Sequence, residues 1–307
     1  MPIIDFTNVK RVFHTGSTIP ASPVEIKKVY EGTTVVWEKS VDNKSIPLYI
    51  ELVNPTDSVP LQIVSAGTTN KTLSYSYDNQ NWTGYTATNN PYTIQLNSSN
   101  PRVYFKASTN AQWSSSNTIY WYFRKYATAS DVPLKVGGNI FSLENAGTSY
   151  QTIINPRGTY SFYRLFQNFT CLVDASNLFL GESGSSLTNY CYVAMFSGCT
   201  SLTQAPALPT TTLSNYCYSS MFGGCTSLAQ APTLPATVLT QNCYYHMFYN
   251  CSALNSIKCL ATNISATGCT DDWVSGVSGM GTFTKLSSVT WSAGTSGIPS
   301  GWTVVNI

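Results

Sequence analysis

The residues able to do chemistry are few, and their spacing says more than their number. The chain holds nine cysteines. Cys191, Cys217, Cys243 and Cys269 follow one another at steps of 26, and Cys199, Cys225 and Cys251 do the same. An odd count cannot pair completely. No Cys-x-x-Cys occurs, and only two histidines, His14 and His246, are available to complete a metal site. The expected state is therefore a set of reduced, buried thiols acting as small hydrophobes, with no metal and no cofactor. Asp271-Asp272 is the only adjacent acidic pair, and it reads as the cap of a helix start rather than as a glycosidase dyad. Gly-rich phosphate loops, HExxH and GxSxG are all missing, so the expectation is a protein that is not an enzyme.

What positions the thiols is an internal repeat. Tyr190-Cys191-Tyr192 leads to Met195-Phe196, Gly198-Cys199-Thr200-Ser201-Leu202, Ala205-Pro206 and Leu208-Pro209. Tyr216-Cys217-Tyr218, Met221-Phe222, Gly224-Cys225-Thr226-Ser227-Leu228, Ala231-Pro232 and Leu234-Pro235 repeat it. A third copy holds Cys243-Tyr244, Met247-Phe248, Asn250-Cys251 and Leu254. Leu165-Phe166 marks a degenerate leading copy and Trp273-Val274 a trailing one. Cys217, Met221 and Cys225 fall at i, i+4 and i+8, which predicts one stripe of a short helix, turned at Gly224. Leu228, Ala231 and Leu234 then face inward on an extended segment ended by Pro235. Helix plus extended segment, stacked, predicts a leucine-rich-repeat-like solenoid of about 26-residue repeats over residues 147–307.

Off the core stripe the copies differ. The first has Val193, Ala194 and Ser197, the second Ser219, Ser220 and Gly223, the third Tyr245, His246 and Tyr249. Positions free to vary are expected to face solvent. Tyr245, His246 and Tyr249 are therefore the candidate receptor or glycan contact, since exposed rings pack on sugars and anchor interfaces. Packing against a neighbouring subunit, or against a cap around Trp273, is the competing expectation.

Composition narrows the partners. Lys+Arg is 16 and Asp+Glu 14, and only 10% of residues are charged, against roughly 25% in an average soluble protein. Without a basic excess to neutralise phosphates, nucleic acid is not expected as a partner. No run of about 18 apolar residues occurs, so no membrane insertion is expected either. Residues 45–146 alternate short β-type runs with turn signals, as in Val103-Tyr104-Phe105-Lys106-Ala107 and Ile119-Tyr120-Trp121-Tyr122-Phe123-Arg124, and predict a small antiparallel β-sandwich. Residues 1–42 concentrate charge around a predicted hairpin, Ile26 to Trp37, turning at Glu31-Gly32. Too small for its own core, this arm is expected to dock on a partner through Val29, Tyr30, Val36 and Trp37. A plain β extension of the next domain is the alternative. The first residues carry no basic stretch and apolar core of signal-peptide type.

The repeat unit Tyr-Cys-Tyr-x-x-Met-Phe-x-Gly-Cys-Thr-Ser-Leu-x-x-Ala-Pro-x-Leu-Pro resembles the BspA-type leucine-rich repeats of bacterial surface proteins. Gly281-Thr282-Phe283-Thr284-Lys285 and Ser296-Gly297-Ile298-Pro299-Ser300-Gly301-Trp302 resemble the close of the same family. Such repeats occur in Bacteroidetes surface proteins and in phages, crAss-like ones included, that infect those bacteria. Residues 29–37 resemble a segment at the start of phage tail and fibre proteins. The resemblance implies a virion protein, a tail or head fibre or decoration, assembled in the host cytoplasm. Its arm would bind other virion proteins and its repeats a host surface glycan or protein. A homo-oligomer is expected, a trimer being one arrangement. The alternative is a bacterial cell-surface adhesin, for which an export leader is the discriminating feature.

Overall fold

A computed structural model describes residues 28–31, 34–38, 42–67, 71–87, 91–126 and 129–307. The chain forms two compact units, Met1–Asp42 and Asn43–Ile307. In the first, β1 (Lys28–Glu31) and β2 (Thr34–Glu38) pair antiparallel, as their β-branched and aromatic content favours. Val29 stands opposite Trp37 and Tyr30 opposite Val35, with a register shift between Val29 and Tyr30. Of the expected turn Glu31-Gly32, Glu31 ends β1, while Gly32 and the stretch 1–27, His14 included, lie outside the described residues.

The second unit begins with β3 (Leu48–Leu52), β4 (Val59–Ala66), β5 (Lys71–Ser76), β6 (Thr83–Ala87), β7 (Tyr92–Leu96), β8 (Arg102–Ala107), β9 (Tyr120–Lys125) and β10 (Leu134–Asn139), and then β11 (Leu172–Phe179). One sheet runs β11-β10-β3-β8-β5-β6 and a second runs β7-β4-β9. Period-2 alternation buries Val103, Phe105 and Ala107 on β8, and Trp121 and Phe123 on β9. The Phe105 and Phe123 rings meet at 4.9 Å, so the two sheets share one core. Ile140-Phe141-Ser142-Leu143 is a buried 3₁₀ turn, capped by the Asn139 side chain accepting from the Phe141 N–H at 2.9 Å. β10 pairs parallel with β11, so the sheet runs on past residue 146 into the repeats.

The expected α/β solenoid does not form. Among the described residues the fold is mostly β, with 31% strand and 3% helix, arranged as several small sheets without a closed solenoid. The stretch predicted as a helix is a run of overlapping turns whose every fourth residue is left-handed: Tyr190 (φ 59°), Ala194 (φ 52°) and Gly198 (φ 75°), then Tyr216, Ser220 and Gly224. Backbone hydrogen bonds alternate. The Met195 N–H donates locally to Tyr192 O (3.2 Å), while the next N–H, of Phe196, donates to Met221 O in the following copy (2.9 Å). Every backbone group of the run thus alternates between a local turn and a neighbouring coil. Two causes explain the miss. A four-residue period and a 3.6-residue helix place i, i+4 and i+8 on the same face over so short a run. The run is also rich in Tyr, Cys, Ser, Gly and Asn, weak helix formers, and about ten residues are too few to sustain a helix alone. Asp271-Asp272 therefore caps no helix. It occupies the outer positions of the trailing coil, where Asp272 is left-handed (φ 47°) and accepts from the Thr295 hydroxyl at 2.7 Å.

The coils stack through aligned rings. Phe166, Phe196, Phe222 and Phe248 follow at 5.5, 5.6 and 5.7 Å, and Phe162, Tyr192, Tyr218, Tyr244 and Trp273 form a second file. Proline decides where strands appear beyond the turns. Copies one and two carry Ala-Pro-x-Leu-Pro and form no strand there. The third copy replaces this with Ser256–Cys259, free of proline, which forms β12 in a parallel sheet with β13 (Thr282–Lys285) and β14 (Thr303–Asn306).

Candidate functional site

The left-handed period of four arranges the outer side of each coil as well as the inner. It brings Tyr245, His246 and Tyr249 together at the surface. The His246 ring lies between the two tyrosines, 3.9 Å from Tyr245 and 4.9 Å from Tyr249, with interplanar angles of 18° and 26°. Tyr245 and His246 are half-buried and Tyr249 is 39% exposed. His246 holds φ 53°, a conformation that histidine tolerates better than most residues. Spacing of four does place these residues on one face, although the element is a turn run and not a helix. The expectation of solvent-facing positions in all copies is only partly met: Ala194 and Ser219 are 6% and 5% exposed.

The competing packing on Trp273 is not seen. Trp273 is fully buried and stacks on Tyr244 and Trp291, with Phe248 and Phe283 beside it, all on the core side of the coil. The triad makes its ring contacts within itself.

A further aromatic group was not anticipated. Tyr160, Tyr190 and Tyr216 occupy the same position in successive coils, and their half-buried rings stack at 4.7 and 4.6 Å. Tyr163 meets Tyr160 edge-on at 5.6 Å and Tyr120 at 5.1 Å, and the Arg164 guanidinium sits 4.9 Å from the Tyr163 ring centre. The signal was the first Tyr of Tyr-Cys-Tyr recurring at a step of 26.

All nine cysteines are free and buried. Cys199, Cys225 and Cys251 donate from Sγ to the carbonyls of Phe166, Phe196 and Phe222 at 3.0, 3.1 and 3.0 Å. Burial pushes the thiols of Cys171, Cys243, Cys251 and Cys259 up to about 12, away from any nucleophilic role. Among the described residues no group of three or more His, Cys, Asp or Glu stands together as a metal site would require. One buried charged cluster was also not anticipated. Glu144 is fully buried and accepts from the Trp113 N–H (2.7 Å) and the Arg157 N–H (2.9 Å), with desolvation raising its pKa. It ties the loop before β9 to the first coil. Val29, Tyr30, Val36 and Trp37, the residues expected to dock on a partner, lie on β1 and β2 of the first unit.

Comparison with known proteins returns no matching family model, no matching curated protein and no matching solved structure.

Proposed function

We propose that this chain is a structural protein of a phage particle that presents a repeat-built aromatic face to the host surface, with residues 1–42 as its attachment element. The observation that carries the reading is the Tyr245–His246–Tyr249 stack. It is a set of large rings that the core does not use, held by a backbone bonded to both neighbouring coils. Rigid aromatic anchors on a fixed scaffold suit recognition better than catalysis. A neutral surface, with 10% charged residues, suits a neutral receptor such as a glycan. Nine unpaired thiols support assembly in a reducing cytoplasm over maturation in an oxidising space. The division into a forty-two-residue unit and a large one supports separate docking and display.

The test is a chain lacking residues 1–42. It is expected to fold, to bind host cells when purified, and to be missing from purified particles. Normal incorporation of the shortened chain, or failure of the folded 43–307 unit to bind cells, contradicts the proposal.

A further inference from the structure

The bonding between successive coils is interrupted along one stretch. Coil one and coil two are joined through the turn run, as in Gly198 N–H to Gly223 O at 2.8 Å, and the Thr226 hydroxyl reaches Thr200 O at 3.3 Å. Bonding between successive coils resumes at Tyr216 N–H to Gln241 O, 3.0 Å. Between these points, residues 203–213 and 229–239 face each other with no hydrogen bond across. The neighbouring seams are closed: Ala175 N–H donates to Gln204 O (2.8 Å), and Ala231 N–H and Leu234 N–H donate to Ser256 O and Lys258 O (both 2.9 Å).

Proline explains the opening. Only at this seam do two Ala-Pro-x-Leu-Pro segments adjoin, so Pro206 and Pro209 face Pro232 and Pro235, none of which carries an N–H. Gln204 directs its N–H and C=O to the β11 side, and the Ala229 C=O and the Ala231 N–H turn to the β12 side. Alternation along an extended chain then turns the N–H and C=O of Ala205 and of Gln230 into the gap, where neither residue makes a backbone hydrogen bond. Two adjoining clefts of about 400 and 480 Å³ occupy it, sharing Ala205 and Pro232.

We infer that this seam is a binding site for a neutral saccharide, separate from the aromatic face. Its lining has no charged side chain, which disfavours phosphate and charged peptide. Donors and acceptors are mixed along it: open backbone groups, the Gln204 and Gln230 amides, and the Ser227 hydroxyl. Sugar hydroxyls both donate and accept, so they can satisfy such a mixed edge. Proline and alanine faces, with Leu208, offer apolar walls for the C–H side of a sugar ring. The volume lies in the range of small-ligand sites. The slot is bonded shut at both ends, which suits a compact ligand over a threaded strand.

The experiment titrates the ¹⁵N-labelled full chain with lactose, maltose and N,N′-diacetylchitobiose, and separately with an uncharged Ser/Thr-rich peptide. At least one disaccharide is expected to shift the Ala205 and Gln230 amide resonances saturably. Ala229→Leu, which fills the slot, is expected to weaken that binding about tenfold or more, a loss of about 1.4 kcal/mol or more. Should Ala229→Leu fail to fold, Gln230→Ala provides the same comparison by removing one amide. Tyr245→Ala/Tyr249→Ala is expected to leave the shifts unchanged, which separates this site from the proposed receptor face. The inference is overturned if no disaccharide moves these resonances, if only the peptide does, or if the folded slot variants bind as the parent does.

Discussion

Cys199, Cys225 and Cys251 show how one residue type can be both filler and fastener. Each thiol is buried, and each donates to the phenylalanine carbonyl of the coil before it. Their burial has a pH consequence. The folded-state pKa of Cys171, Cys243, Cys251 and Cys259 is raised to about 12 from 9.0, with desolvation the largest cause. A raised pKa means that the folded chain holds protons which the unfolded chain releases. Stability is therefore complete below pH 9 and is lost as pH climbs toward 12, by about 1.4 kcal/mol per thiol for each pH unit above 9. Lys71 acts in the opposite sense. Burial lowers it to about 7, so its contribution to stability rises between pH 7 and 10.5. One lysine stands against at least four thiols, so the net effect above pH 9 is a steep loss. Melting temperatures measured from pH 7 to 11 are expected to fall sharply past pH 9. A flat profile would mean that the thiols are accessible in the folded protein. The thiol ladder was legible in the sequence because equal steps of 26 leave little choice but stacking. The thiol-to-carbonyl bonds were not, because they depend on backbone geometry.

The turn run is the element on which everything else depends, and its left-handed residues are its mechanical requirement. Ser220 holds φ 54° between Tyr216 (φ 58°) and Gly224 (φ 75°), its neighbours in the pattern. Ser220→Gly is expected to change stability by less than about 1 kcal/mol, since relief of strain offsets the added freedom of the unfolded chain. Ser220→Val places a β-branched residue at positive φ and is expected to cost about 1–3 kcal/mol. Urea denaturation of both variants checks this. Equal stability of the two would show that the left-handed conformation is not required. The sequence told which residues repeat and, for the most part, which face inward: Leu228, Leu234 and Cys225 are completely buried, while Ala231, also expected inward, is only partly buried. It did not tell helix from turn run, because three points at a spacing of four fit both. Nor did it reveal the open seam: Pro206 and Pro232 were visible, but that they would face each other follows only from the stacking.

At the scale of the whole molecule, two sheets, a stack of coils and a terminal parallel sheet form one continuous unit, 43–307, and residues 1–42 form another. The sheets and the stack keep β11 and its neighbours in register, and Tyr245, His246 and Tyr249 sit on the same hydrogen-bonded backbone as the core residues of their coil. The β segments around Phe105 and Phe123 were readable from period-2 alternation. The joining of β10 to β11 was not, because a parallel pair across distant sequence leaves no local trace. The proposed role requires that the triad be free to meet a partner and be unnecessary for folding. The most direct measurement is a Tyr245→Ala/Tyr249→Ala double variant, compared with the parent for host-cell binding and for melting temperature. The prediction is that cell binding is lost while the melting temperature stays close to that of the parent. Unchanged binding, or a large drop in melting temperature, would contradict it.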